Sequence, residues 1–426
     1  MKALSCYVAV VLAGVAVSVT GCGGDSTGTG PQAASVTGVA GDSQVAPTGA
    51  PLSFPLSLTV LGSNGQPIQG VNVTWTVTPT NRVTFALATT PSDVNGVAET
   101  HVTAGATPDT VLIQAHVPGV EQPVDFHIAI VDPCLIATSH TIGTSVNGAL
   151  TTYDCKLQLG LTNNNIPLFW FYDFYVFSLA SQTGVTINMT ATFDTYLDIY
   201  RDFGTTFEPM GFNDDVSSAD LTSRVQAILA PGDYLIGANS ADTLVTGSYT
   251  LSSVSRAQTI DNCPELFVTR GVVINDNISA TDCPDTTGVG SYGDTLKIWV
   301  LKGSVLKIAQ RSSAINANLR LFQRLFSQTP GQPDMVTLVA ANNDSADAGT
   351  TTNAFISYSV PVIQGPQAVL LEIFVGTSGT NQTGAYTLEI FSSTTLSAMR
   401  KADAASPWGV RLRGRPVPQL GLRRGL

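Results

Sequence analysis

"VNVTWTV", Val71 to Val77, alternates without a break. Val71, Val73, Trp75 and Val77 fall on one face of an extended chain, and Asn72, Thr74 and Thr76 on the other. A period of two in β-branched and aromatic residues predicts a half-buried strand with Trp75 in the core. On either side, "GSNGQPIQG" (62–70) and "DVNGVAE" (93–99) carry Asn-Gly turn signals. Short strands punctuated in this way predict a β-sandwich.

The composition of the 426 residues agrees. Only 12% are charged, while 43% are hydrophobic, and Thr, Ser, Gly and Val dominate, which suits strands and turns rather than helices. The 20 basic and 31 acidic residues are unevenly placed. Arg400, Lys401, Arg411, Arg413, Arg415, Arg423 and Arg424 crowd the last 27 residues, leaving residues 1–399 at a formal −17. An acidic body argues against nucleic acid as a partner.

The chain opens with Lys2 and an apolar run, Tyr7–Val19, too short for a bilayer-spanning helix of about 20 residues but right for a secretory signal. It ends Val19-Thr20-Gly21-Cys22. This resembles the bacterial lipobox, which implies cleavage after residue 21 and acylation of Cys22. Two or three acyl chains, at roughly 0.8 kcal/mol per buried CH₂, anchor a protein durably. The expected location is therefore outside the cytosol on a membrane lipid, with the outer membrane or cell surface favoured because no Asp follows Cys22. Residues 22–32 read as a lipidated flexible linker, being rich in Gly, Ser and Thr.

"SLTVLGSNGQPIQGVNVTWTV" followed by "SDVNGVAETHVTAG" resembles the bacterial Ig-like group 1 domain of invasin- and intimin-type surface proteins. The resemblance implies an Ig-like stalk over residues 33–131. Beyond it, self-comparison finds a repeat. "CLIATSH…NGALTTYDC" (134–155) echoes "CPELFVTR…NDNISATDC" (263–283), and "DFYVFSL" (173–179) echoes "DTLKIWV" (294–300). "FDTYLDIY" (193–200) echoes "INANLRLF" (315–322), "FNDD" (212–215) echoes "ANND" (341–344), and "GSYTL" (247–251) echoes "GAYTL" (384–388). Five motifs in one order describe two copies of a domain, residues 132–256 and 257–394. In register, Tyr175, Phe177 and Leu179 match Leu296, Ile298 and Val300, and Leu197 and Ile199 match Leu319 and Leu321, as a shared buried face demands. The motif order in the first copy resembles the bacterial pre-peptidase C-terminal domain, a jelly-roll-like β-sandwich. The second copy departs from it, with Asn316 for Asp194 and Arg320 for Asp198. The expected fold is all-β: three tandem β-sandwiches, one Ig-like and two jelly-roll-like, after a signal peptide and linker, with a basic disordered tail at 395–426.

With Cys6 in the signal and Cys22 lipidated, four cysteines remain. Each copy owns two at matching places, so Cys134–Cys155 and Cys263–Cys283 are the parsimonious disulfides, and reduced buried thiols are the alternative. No cysteine pair has zinc-site CxxC spacing.

Catalytic signals are sparse. The four histidines, His101, His116, His127 and His140, all lie in the first 140 residues, so residues 141–426 cannot supply a Ser-His or Cys-His pair from within. There is no HExxH, GxSxG, P-loop or dinucleotide fingerprint. Asp194, Asp198, Asp214 and Asp215 could converge on Ca²⁺, a cation some members of the resembled family bind, or serve as Asx-turns. "FWFYDFYVF" (169–177) places seven aromatics in nine residues. With Phe169, Phe171, Tyr175 and Phe177 turned to the core, Trp170, Tyr172 and Phe174 point the other way, as does Trp299 in the second copy. Exposed, they would bind a polysaccharide or a matrix or surface protein; otherwise they pack beneath a neighbouring segment. The expectation is a non-catalytic surface lipoprotein that binds a glycan or protein polymer, with a structural envelope role or service to a secreted peptidase as alternatives.

Overall fold

A computed structural model describes residues 32–161, 165–204, 207–260, 265–285, 292–326, 333–344, 352–362 and 368–392. The signal segment, Cys22, Cys263 and the basic tail lie outside them. Among the described residues the only helical element is the 3₁₀ turn Pro133–Leu135; the regular structure is otherwise β.

The opening stretch forms the strand Asn72–Thr78, with Val73 and Trp75 buried and Asn72, Thr74 and Thr76 exposed. It lies in a five-stranded sheet ordered Gln44–Pro47, Val124–Val131, Asp109–His116, Asn72–Thr78, Thr89–Pro91. A three-stranded sheet of Ala33–Ala40, Leu56–Gly62 and Val97–Thr100 faces it. Trp75 packs on Phe126 and donates its indole N–H to Thr90 Oγ1 at 2.9 Å, so its polar atom is satisfied inside the core. The "NGVA" turn places Gly96 at φ +75°, where a Cβ would stand 2.7 Å from the Val60 carbonyl oxygen; only glycine fits. That turn carries the chain from one sheet to the other.

The repeat read from the sequence returns as repeated topology. In the first copy, Pro167–Leu179, Gly232–Ser240, Thr195–Asp202 and Phe207–Asn213 lie side by side in one sheet. In the second, Tyr292–Leu301, Ala368–Thr377, Ala317–Leu325 and Met335–Asn342 follow the same order. The opposing sheets also match: Ser145–Leu150, Gly247–Arg256, Thr183–Ala191, Ser223–Leu229 against Val272–Ile278, Gly384–Ser392, Val305–Arg311, Ala354–Ser359. Leu197, Ile199, Leu319 and Leu321 are all fully buried at equivalent places.

The two copies are fused rather than strung. The short strand Leu266–Val268 runs parallel to both Ser223–Leu229 and Tyr292–Leu301, joining sheets of the two copies into one ten-stranded sheet. Phe267 and Trp299 enter the core of the first copy, where Phe212 meets Trp299 at 6.1 Å and Phe326 at 5.8 Å between ring centroids. Arg270 reaches back to Glu208, an ion pair buried on both sides. Trp299 was expected to face outward; it is 1% exposed, because the neighbouring copy covers it.

Candidate functional site: an acidic, tyrosine-lined cleft

Cys134 and Cys155 form a disulfide across 21 residues. Cys283 is disulfide-bonded as well. The closed loop in the first copy has a consequence the aromatic pattern did not reveal. The strand Cys155–Leu161 pairs edge to edge with Pro167–Leu179 and widens the aromatic sheet, its Cys155, Leu157 and Leu159 joining Cys134 and Ala137 in the apolar cluster on the outer face. Trp170, Tyr172 and Phe174, read as a binding platform if exposed and as packed beneath a neighbouring segment otherwise, are buried against Cys155, Tyr200 and Leu235, with Leu157, Leu159 and Phe207 packed alongside. Trp170 donates to the Ala241 carbonyl at 3.1 Å and Tyr172 to Asp198 Oδ2 at 3.1 Å. These side chains hold a second small core, and Tyr172 and Phe174 also form part of the wall of the cleft described below. The alternation of Leu157 and Leu159 was the available signal: it puts apolar side chains on the same face as the aromatics.

The four aspartates do not converge as a cation site. Asp198 is buried with Tyr172 and Asn239, while Asp214 is exposed and accepts from the Asp215 backbone N–H at 3.0 Å. Asp194 ties its carbonyl to Ser240 and Ala241. The asparagine of "FNDD" bridges to the opposing sheet: Asn213 Oδ1 accepts from Arg224 N–H at 2.7 Å, and Asn342 does the same for Phe355 at 2.9 Å in the second copy. Among the described residues no three His, Cys, Asp or Glu side chains group as a metal site.

A different acidic cluster forms instead, from residues inside the repeated motifs. Tyr249, of "GSYTL", crosses between the sheets and donates to Asp173 Oδ2 at 2.7 Å; Tyr175 Oη lies 2.7 Å from Tyr249 Oη. Asp154, beside the disulfide, caps its own turn, accepting from Thr151 N–H at 2.5 Å and Thr151 Oγ1 at 3.0 Å. Burial pushes the Asp173 carboxyl up to about 7, helped by the nearby Asp154 charge and opposed by the Tyr249 hydrogen bond. Burial also raises Asp154 and Tyr175. Near pH 7 the cluster thus holds a carboxyl close to half-protonated, able to donate as well as accept. It opens into a cleft of about 220 Å³ lined by Tyr153, Asp154, Asp173, Tyr175, two of the aromatics singled out in the sequence, Tyr172 and Phe174, and, from the Ig-like unit, Pro47; Ile136 and Cys155 complete its wall. Tyr153 and Ile136 are exposed at its rim.

The second copy keeps the same framework, sealed. Tyr386 donates to Asp294 Oδ2 at 2.6 Å, and Asp282 caps Ser279 through N–H and Oγ at 2.6 and 2.7 Å. Leu296 stands where the first copy has Tyr175, and Asp294 is 1% exposed. These residues were legible as the invariant letters of the echoed motifs, the Asp before each second cysteine, the Asp opening each "D-x-x" strand and the Tyr of "G-x-Y-T-L".

His140 makes a Ser–His contact after all, with Nε2 2.8 Å from Ser253 Oγ. Both groups are buried, Ser253 also accepts from Gly143 N–H at 3.2 Å, and burial lowers the His140 pKa. The pair braces the start of the first copy.

No protein-family model matches the chain, and no curated protein matches its sequence. Solved structures do. A C-terminal 282-residue fragment of intimin, in complex with the intimin-binding domain of the translocated intimin receptor, is 15% identical over 52% of this chain and 64% of its own, at a TM-score of 0.22. Invasin, described as a bacterial integrin-binding protein, is 15% identical over 78% of this chain and 61% of its own, at 0.19. Carbohydrate-binding modules of the β-sandwich superfamily are 11% identical over 85% of this chain and 97% of theirs, also at 0.19. The chain spans less than two thirds of the length of the intimin and invasin fragments. The β-sandwich fold itself rests on the strand order above.

Proposed function

We propose that the chain is a non-catalytic, lipid-anchored surface or envelope protein whose Ig-like unit carries a fused pair of β-sandwiches, and that the cleft at Asp154 and Asp173 binds a glycan or protein polymer. The observation that supports this is the pairing of an exposed aromatic, Tyr153, with two carboxyls of raised pKa at the mouth of a cleft. An aromatic face stacks on a sugar ring or an apolar side chain, and carboxyls take hydroxyl or amide hydrogens. At about 220 Å³ the cleft falls below the roughly 300–1,000 Å³ that encloses a drug-sized ligand. It suits one unit of a chain passing across the surface. A glycan and matrix-protein array on the full chain, with and without Ca²⁺, tests the reading. A polymer hit that Tyr153→Ala weakens at least tenfold supports it. Blank arrays, or a hit indifferent to Tyr153, favour a structural envelope role.

A further inference from the structure

The ten-stranded sheet ends at the strand Met335–Asn342. Its counterpart in the first copy is Phe207–Asn213, matched by the shared Asn213/Asn342 bond to the neighbouring sheet and by a register shift at the same place, Ile199/Tyr200 and Leu321/Phe322. The two strands have opposite fates. Phe207–Asn213 contains Glu208 and Pro209 and is covered by the second copy, with Glu208 on Arg270 and Phe212 among Phe267, Trp299 and Phe326. This position is the fold's own docking surface. In the second copy Thr337 and Ala341 replace Glu208 and Phe212, and the strand "MVTLVAAN" carries no charge and no proline. Met335 is 63% exposed, Val336 44% and Leu338 52%, with Leu325 of the adjoining strand at 45%. Edge strands normally carry charges, prolines or bulges that block pairing with another chain; here the register shift leaves a bulge at Val339, and the stretch Met335–Leu338 before it is regular, uncharged and free of proline.

We propose that Met335–Asn342 is an interface with a second copy of this chain, paired antiparallel across a two-fold axis near Thr337. That axis sets Val336 against Leu338 of the other copy, twice, within the regular stretch Met335–Leu338, so the strand is complementary to itself. The body of the chain is acidic, and two copies repel except where carboxylates are absent or neutralised. At this edge they are neutralised: Arg324 holds Asp334 at 3.1 Å and Glu372 at 2.5 Å. The pairing continues the existing ten-stranded sheet into its partner's.

Sedimentation equilibrium on the full chain, up to about 0.1 mM, tests this. A monomer–dimer equilibrium is expected, weakened at least tenfold by Leu338→Lys and untouched by Val254→Lys, a control 52% exposed elsewhere. Thr337→Cys should give a covalent dimer in oxidising buffer, which reports the axis without relying on the lysine variant's fold. A wild-type chain that stays monomeric overturns the proposal. So does dimerisation unaffected by Leu338→Lys, or equally lost in Val254→Lys. Dimerisation only after removal of residues 395–426 overturns it too, since the chain's own tail would then be the occupant.

Discussion

The first and second β-sandwiches share strand order, a bridging asparagine, an inter-sheet Tyr–Asp bond and a disulfide-bonded cysteine after an aspartate cap. They differ in what surrounds those features. The first opens its acid cluster to a cleft and has its far edge covered by its neighbour; the second seals its cluster, and among the described residues no strand pairs with its far edge. The duplicated scaffold therefore supplies stability in both halves, and exposure divides the work between them.

The sharpest way to break the comparison is at the junction. Trp299 belongs by sequence to the second copy and by packing to the core of the first. Trp299→Ala should cost about 3–5 kcal/mol, the range for emptying a large aromatic site. It should also split urea unfolding of the pair into two transitions, because the coupling between copies runs through this ring and its neighbours Phe212 and Phe326. A single transition with little loss would mean that the shared sheet alone couples them.

Opening the first disulfide comes next. A loop of 21 residues constrains the unfolded chain by roughly 3 kcal/mol in the entropy model. Cys134→Ser with Cys155→Ser should lose about that much and loosen the cover over Trp170, Tyr172 and Phe174, read as dye binding and a red-shifted tryptophan emission. Emission that stays native-like would show that the Leu157 and Leu159 contacts hold the cover unaided.

The Tyr–Asp bonds sharpen the contrast on a smaller scale. Tyr386→Phe removes a donor from a carboxyl without access to water, and should cost about 2 kcal/mol. Tyr249→Phe should cost about 1 kcal/mol, since Asp173 faces the cleft and water can replace the hydroxyl. Equal losses in denaturant titrations would erase the distinction between the open and sealed clusters.

Much of this was legible in the residues. Period-two alternation located Trp75 and the matched Leu197/Leu319 strands because one buried face leaves its mark on every second residue. The echoed motifs contained Asp154, Asp173 and Tyr249, yet a repeat shows only that positions recur; that Tyr249 crosses to Asp173 depends on how two sheets stack. The outward face of "FWFYDFYVF" left two readings open for a related reason. Alternation tells which residues share a face, and the apolar side chains that bury this one, among them Cys134, Cys155, Leu157 and Phe207, come from separate segments of the chain. The fusion of the copies was invisible, since three residues, Leu266–Val268, make it.

The finest test of the open cluster is its pH dependence. In the folded chain Asp173 titrates near 7; unfolded, it returns to the ordinary carboxylate value of 3.8. Between those values the folded state holds a proton that the unfolded state has released, so stability falls as pH rises, by up to about 1.4 kcal/mol per pH unit from this group. The decline should begin above pH 4 and flatten beyond 7, where both states are ionised and the full burial penalty is in place. Asp173→Asn keeps an acceptor for the Tyr249 hydroxyl and removes the titration, so its stability should be flatter across this window and higher than the wild type's at pH 8. Asp154→Asn should leave a decline but end it at lower pH, because the neighbouring charge that helps raise Asp173 is gone. A wild-type profile already flat from pH 4 to 7, measured by denaturant midpoints, would mean that Asp173 is hydrated through the cleft and that the first copy's cluster is more open than its burial implies.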